Sequence, residues 1–258
     1  MRDFYEAFYT TAIASRVHAE FCERVFGLNL GQHGFADMAQ IERVMQITRL
    51  SPGQRVLDLG CGSGMIAEYI SDCTGAHVMG LDYIPAAIHQ AQTRTANKAN
   101  RLAFRVGDIN ALNLPRSAFD VIISIDSIYF SEDYPRTICD LMLALRPGGQ
   151  MAFLYAYGRE PWVPKEEFPA DSVLADRTPL ANALKANGLN FQTWDLTQDD
   201  YRLAQQRKTV LSDLRPRFEA EGLMFIYDNR MGDAQGISQA IEEGLHARYL
   251  YHVQTATY

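Results

Sequence analysis

The chain has 258 residues, with 24 Lys and Arg against 31 Asp and Glu (formal charge -7), 47% apolar and 21% charged. This composition excludes disordered, collagen-like and coiled-coil classes and leaves one large α/β domain or a domain with a lid. The acidic balance argues against general binding to nucleic-acid phosphates, which calls for a basic surface.

The opening Met1-Arg2-Asp3-Phe4-Tyr5-Glu6 lacks a cationic and then apolar leader, and no run of about 18 apolar residues occurs. The expectation is a cytoplasmic protein without membrane insertion. Cys22, Cys61, Cys73 and Cys139 show no C-x-x-C pairing, which suggests reduced thiols and no metal site.

From Phe4 to about Leu28 the apolar residues recur at helical spacing, with Val17, Phe21 and Val25 on one face. Gly27 to Gly34 breaks the pattern. A second helix is expected over about Asp37 to Arg49, stopped by Ser51-Pro52-Gly53, so residues 1–50 read as a helical cover ahead of a sheet.

Val56-Leu57-Asp58-Leu59 suits a buried parallel strand, and Gly60, Gly62 and Gly64 suit a tight turn into a helix. Glycines there let backbone N–H groups approach a ligand at the positive end of the helix. An adenosyl cofactor is the natural guest, and a bare strand-to-helix turn is the alternative. The G-x-G-x-G spacing departs from the G-x-G-x-x-G of dinucleotide folds, which weakens a nicotinamide reading. Cys61, inside the turn, reads as a small filler rather than a nucleophile.

The strand His77 to Leu81 ends in Asp82, 20 residues beyond Gly62, where an acid can accept both ribose hydroxyl protons or cap the helix entered at Pro85. The next strand, Leu102 to Val106, ends in Gly107-Asp108-Ile109, either an adenine edge or a simple Asp turn. Phe119 to Ile125 reads as a central strand, followed by Asp126-Ser127 and by Tyr129 and Phe130.

A helix from Pro135 to Leu145, a strand from Gln150 to Tyr155, a long loop from Gly158 to Thr178, a helix from Leu180 to Ala186 and a strand from Phe191 to Leu196 follow. Two helical stretches lie between Gln198 and Gly244, and Arg248 to Thr255 alternates as a last strand.

With these motifs in order, together with Phe119-Asp120-Val121-Ile122 and Leu145-Arg146-Pro147-Gly148-Gly149, the chain resembles the class I S-adenosylmethionine-dependent methyltransferases, most closely their small-molecule branch. The resemblance implies a Rossmann-like, doubly wound seven-stranded sheet with an antiparallel last strand. It implies one domain: helical cover 1–50, cofactor-binding core 51–197, helical lid insertion 198–246 and last strand 247–258. It also implies S-adenosyl-L-methionine as cofactor and S-adenosyl-L-homocysteine as product. Gly60, Cys61 and Gly62 would hold the methionine part, with the backbone around Ser124 beneath it. Asp82 would take the ribose, Tyr83 and Ile109 would flank the adenine, and Asp108 would meet its amino group. Gln32 and His33 stand in the segment that crosses the cofactor, where the branch often has an aromatic residue. The Asn-Pro-Pro-Tyr or Asp-Pro-Pro-Tyr motif of nucleobase and glutamine methyltransferases is missing after the Phe119 strand.

In-line methyl transfer asks mainly for alignment and dehydration of the acceptor, and a base is optional. Asp126 and His33 are the candidates for acceptor positioning or proton removal. Tyr9, Tyr129, Tyr155 and Tyr227 are candidates for lining the acceptor pocket, with core packing the alternative for each. The leading expectation is a methyltransferase for a small amine or hydroxyl acceptor. A non-catalytic cofactor-binding sensor or scaffold is the second reading and a nicotinamide dehydrogenase the third. The oligomeric state is not legible.

Overall fold

The computed structural model describes residues 2–160 and 162–256. Strands β1 (Arg55–Leu59), β2 (His77–Asp82), β3 (Leu102–Val106), β4 (Phe119–Ile125), β5 (Leu145–Gly158), β6 (Phe191–Asp195) and β7 (His246–Gln254) form one sheet in the order β3-β2-β1-β4-β5-β7-β6. The first five pair in parallel, and β7 runs antiparallel between β5 and β6. The order reverses between β1 and β4, so the loops that follow them diverge and leave a crevice at their carboxyl ends.

Helices coat both faces, which is why β4 is apolar along its whole length. On one face α6 (Tyr134–Ala144) and α7 (Pro179–Ala186) pack with Leu57, Ile122, Phe153, Tyr249 and Tyr251. On the other, α3 (Met38–Thr48), α4 (Met65–Thr74) and α5 (Pro85–Arg94) pack with Val56, Val121, Ile123 and Leu250. The alternation expected for the last strand is thus a division between two cores. Residues 257 and 258 of the expected 247–258 segment lie outside the described residues, as does Pro161 in the expected loop.

The expected helix from Phe4 to Leu28 is two, α1 (Arg2–Ala12) and α2 (Arg16–Phe26). Ser15 divides them: its backbone is extended and its side chain accepts a bond from the His18 N–H, an N-cap that apolar spacing does not reveal. The insertion holds α8 (Thr197–Ala220) and α9 (Met224–Glu242), which build a third apolar cluster with α1 and α2. Glu221 accepts from Ser15 Oγ at 2.7 Å, and Arg24 meets Asp213 at 2.6 Å. Among the described residues no helix is long and apolar enough to cross a membrane.

Candidate active site

The crevice is a pocket of about 370 Å³ between the carboxyl ends of β1, β2 and β4, roofed by α1 and the loop over residues 30–36. Its floor is the glycine turn. Gly60 and Gly62 have φ of +77° and +53°, which suits glycine, and the N–H groups of Gly60 and Cys61 both donate to the Leu81 carbonyl. A Cβ on Gly60 would lie 2.2 Å from that of Ser127, and one on Gly62 would lie 2.5 Å from Tyr9 Oη. The turn is therefore packed tightly from β4 and from α1.

Asp82 is buried at the end of β2. One carboxylate oxygen accepts from the Gly62 N–H at 2.7 Å and the other from the Ile84 N–H at 2.9 Å. Burial pushes its carboxyl above the ordinary range, opposed by these backbone donors. The two bonds fix the plane of the carboxylate at the pocket edge, where each oxygen keeps a further lone pair. Asp108 forms an Asx turn by accepting from the Asn110 N–H at 2.9 Å and also lines the pocket beside Ile109. Tyr83 lies at the mouth, with the Arg2 guanidinium 4.9 Å from its ring centre.

The roof is set by buried charge. Asp126 has φ +53°, and its carboxylate receives Arg248 in a fork at 2.6 and 3.0 Å and the Phe35 N–H at 2.8 Å. Arg248 is 1% exposed; its Nε donates to Gln40 at 3.0 Å and lies 3.1 Å from Asp200 on α8. Arg230 of α9 donates to the carbonyls of Gln32 and His33 and meets His18 Nε2 at 2.9 Å. His33 lines the pocket in edge contact with Tyr5 and Phe8, and its Nε2 is buried without a partner. Burial, with Arg230 and Arg207 nearby, holds its imidazole well below the usual pKa, hence neutral.

Several expectations need correction. Asp126 lines the pocket, but its oxygens are engaged by Arg248 and Phe35, so it braces the roof and is poorly placed to remove a proton. Gln32 faces the pocket mainly through its backbone, because its side chain turns back to the Leu30 N–H and the Leu28 carbonyl. Ser124 lies one step behind the lining and bonds Ser127, which lines the pocket in its place. Tyr155 is buried in the sheet core against Tyr134, Tyr157 and Tyr251. Tyr227 packs on Phe218 in the helical cluster, and Tyr129 packs beside Phe130 with its hydroxyl buried near Asp126 and Tyr5, outside the pocket lining. Of the four aromatic candidates only Tyr9 lines the pocket, joined there by Tyr5 and Phe130. The insertion supplies no lining residue; α8 and α9 stand behind the cover and reach the site through Arg230 and Asp200. Arg248 escaped sequence reading, although an arginine inside an apolar alternating strand is a signal for a buried ion pair.

The family model described as a methyltransferase domain matches residues 50–207, more than half of the chain. The chain belongs to this family. Phosphoethanolamine N-methyltransferase of Triticum aestivum is 34% identical over 151 residues, 57% of this chain and 29% of that protein. The chain therefore spans less than a third of the length of the curated relatives it matches first. Phosphoethanolamine N-methyltransferase 2 of Haemonchus contortus, solved with phosphomonomethylethanolamine and S-adenosylhomocysteine, aligns with a TM-score of 0.79 at 18% identity, covering 99% of this chain and 60% of that one. A cyclopropane synthase of Mycobacterium tuberculosis aligns with a TM-score of 0.73 at 16% identity, covering 97% and 98%. These likenesses establish a class I methyltransferase fold over nearly the whole chain.

Proposed function

We propose that this methyltransferase domain binds S-adenosyl-L-methionine and methylates a small-molecule amine or hydroxyl, releasing S-adenosyl-L-homocysteine. The observation that carries this reading is the pocket itself: the glycine turn, Asp82 and Asp108 share one cavity that continues past them to Tyr5, His33 and Phe130. The residues present fit the cofactor. The turn packs too closely for side chains at Gly60 and Gly62, leaving backbone against which the methionine part would lie, with Ser127 beyond. Asp82 would accept the ribose hydroxyls, Asp108 the adenine amino group, and Tyr83 and Ile109 would flank the ring.

When bound, S-adenosylmethionine supplies a methyl group already activated by its sulfonium. The protein's share is then to exclude water and to hold the acceptor in line. The aromatic roof does the first. His33 contributes a neutral ring to that roof, and Asp126 holds the loop that carries it. A pocket that extends beyond the cofactor residues favours catalysis over a sensor or scaffold. The free thiols and the small, acid-lined cavity suit a cytoplasmic enzyme of small molecules rather than of nucleic acid.

The test is incubation with methyl-labelled cofactor and a metabolite extract, followed by mass spectrometry. A labelled small molecule supports the reading, and Asp82→Ala should abolish the label by weakening cofactor binding at least tenfold. Binding of S-adenosylhomocysteine without any labelled product would turn the assignment to a sensor.

A further inference from the structure

Four carboxylates line the pocket, those of Asp82, Asp108, Asp126 and Glu132, against one guanidinium, Arg2, which lies over Tyr83 at the mouth. The three buried arginines near the roof are turned away into the protein. Arg230 serves two backbone carbonyls and His18, Arg248 serves Asp126 and Gln40, and Arg207 lies 3.8 Å over the Phe35 ring with Asp233 at 4.0 Å. A phosphate or carboxylate on a ligand calls for charge-assisted donors, and the acceptor end presents none. It presents rings instead. Tyr5 meets His33 at 4.8 Å and 61° and Phe130 at 5.9 Å and 90°, so the three form an angled wall rather than a flat stack, with Tyr9 behind Tyr5 at 6.4 Å.

We propose that the acceptor is an amine carrying no anionic group, held against the aromatic wall of Tyr5, His33 and Phe130. Ring faces attract an ammonium or a methylated ammonium. A phosphorylated amine would bring to the same wall an anion for which it offers no charge-assisted donor, and the pocket selects against it by lack of a partner. This inference rests on the methyltransferase reading and names the substrate class for it.

The test uses the full chain saturated with S-adenosylhomocysteine and two probes that differ by a phosphate, choline and phosphocholine, titrated by calorimetry. Choline should bind saturably, and phosphocholine at least tenfold more weakly. Tyr5→Leu should weaken choline about tenfold, while Tyr5→Phe, which keeps the ring, should stay near the wild-type value; both should bind S-adenosylhomocysteine as the wild type does, which shows that they are folded. Tighter binding of phosphocholine, saturable binding of neither probe, or an equal loss in both variants overturns the proposal. Failure of the wild type to bind S-adenosylhomocysteine at all would instead overturn the cofactor reading beneath it.

Discussion

Arg248→Met tests the account of the roof. Arg248 is 1% exposed, and its fork to Asp126 and its approach to Asp200 place one cation between two acids that are themselves nearly sealed from water. Deleting one partner of such a cluster strands charge in the interior, at a cost of about 3–5 kcal/mol. For a chain of this size each kcal/mol moves the melting temperature by roughly 2–4 °C, so a fall of about 10 °C is expected by circular dichroism. Arg248→Lys keeps the charge but loses the fork and should fall between. The double variant Asp126→Asn with Arg248→Met should lose less than the two single changes together, since each removes the other's stranded partner. Because Asp126 also accepts from the Phe35 N–H, the loop over residues 30–36 should loosen and S-adenosylhomocysteine should bind more weakly. An Arg248→Met protein melting within about 3 °C of the wild type would refute the reasoning.

Three further outcomes follow from buried groups. Burial and the charge of Asp82 raise the Asp58 carboxyl from an ordinary 3.8 to about 7. The folded state then holds a proton that the unfolded state has released, so stability falls as pH rises from about 4 to 7, by about 4 kcal/mol at most. Asp58→Asn should flatten this slope in urea titrations across that range, and an unchanged slope would contradict it. Gly60→Ala places a methyl group 2.2 Å from Ser127 Cβ at φ +77° and should weaken S-adenosylhomocysteine binding at least tenfold in calorimetry; an unaffected affinity would mean the turn is not the cofactor floor. Arg207 is fully buried with three unpartnered nitrogens, and burial lowers its pKa to about 9. Its stacking on Phe35 offsets only part of that desolvation. Arg207→Met should hold or raise the melting temperature, and a drop of more than about 5 °C would show that the charge stabilises the fold.

The order of strand, glycine turn and strand-end acids was legible because it is local. Each feature needs a particular backbone conformation or side chain at a fixed offset, and Gly60, Gly62, Asp82 and Asp108 met in one pocket as expected. The alternation of Tyr249, Tyr251 and Val253 likewise announced a last strand, and the structure added that Leu250 faces the opposite core. Which aromatics face the ligand was not legible, since a tyrosine at helical or strand spacing looks the same whether its ring enters a core or a cavity. Packing decided that Tyr5, Tyr9 and Phe130 line the pocket and that Tyr155 and Tyr227 do not.

The roof was also beyond sequence. It depends on Arg248 reaching Asp126 across 122 positions and on Arg230 reaching the His33 carbonyl across 197. Spacing along the chain carries no record of such pairings. The sequence by itself determined the glycine turn and the strand-end acids of the pocket, because turns and strand ends are set by neighbours. Only the tertiary structure decided the pocket roof, because there distant buried charges find partners once the sheet and the helical cover have come together.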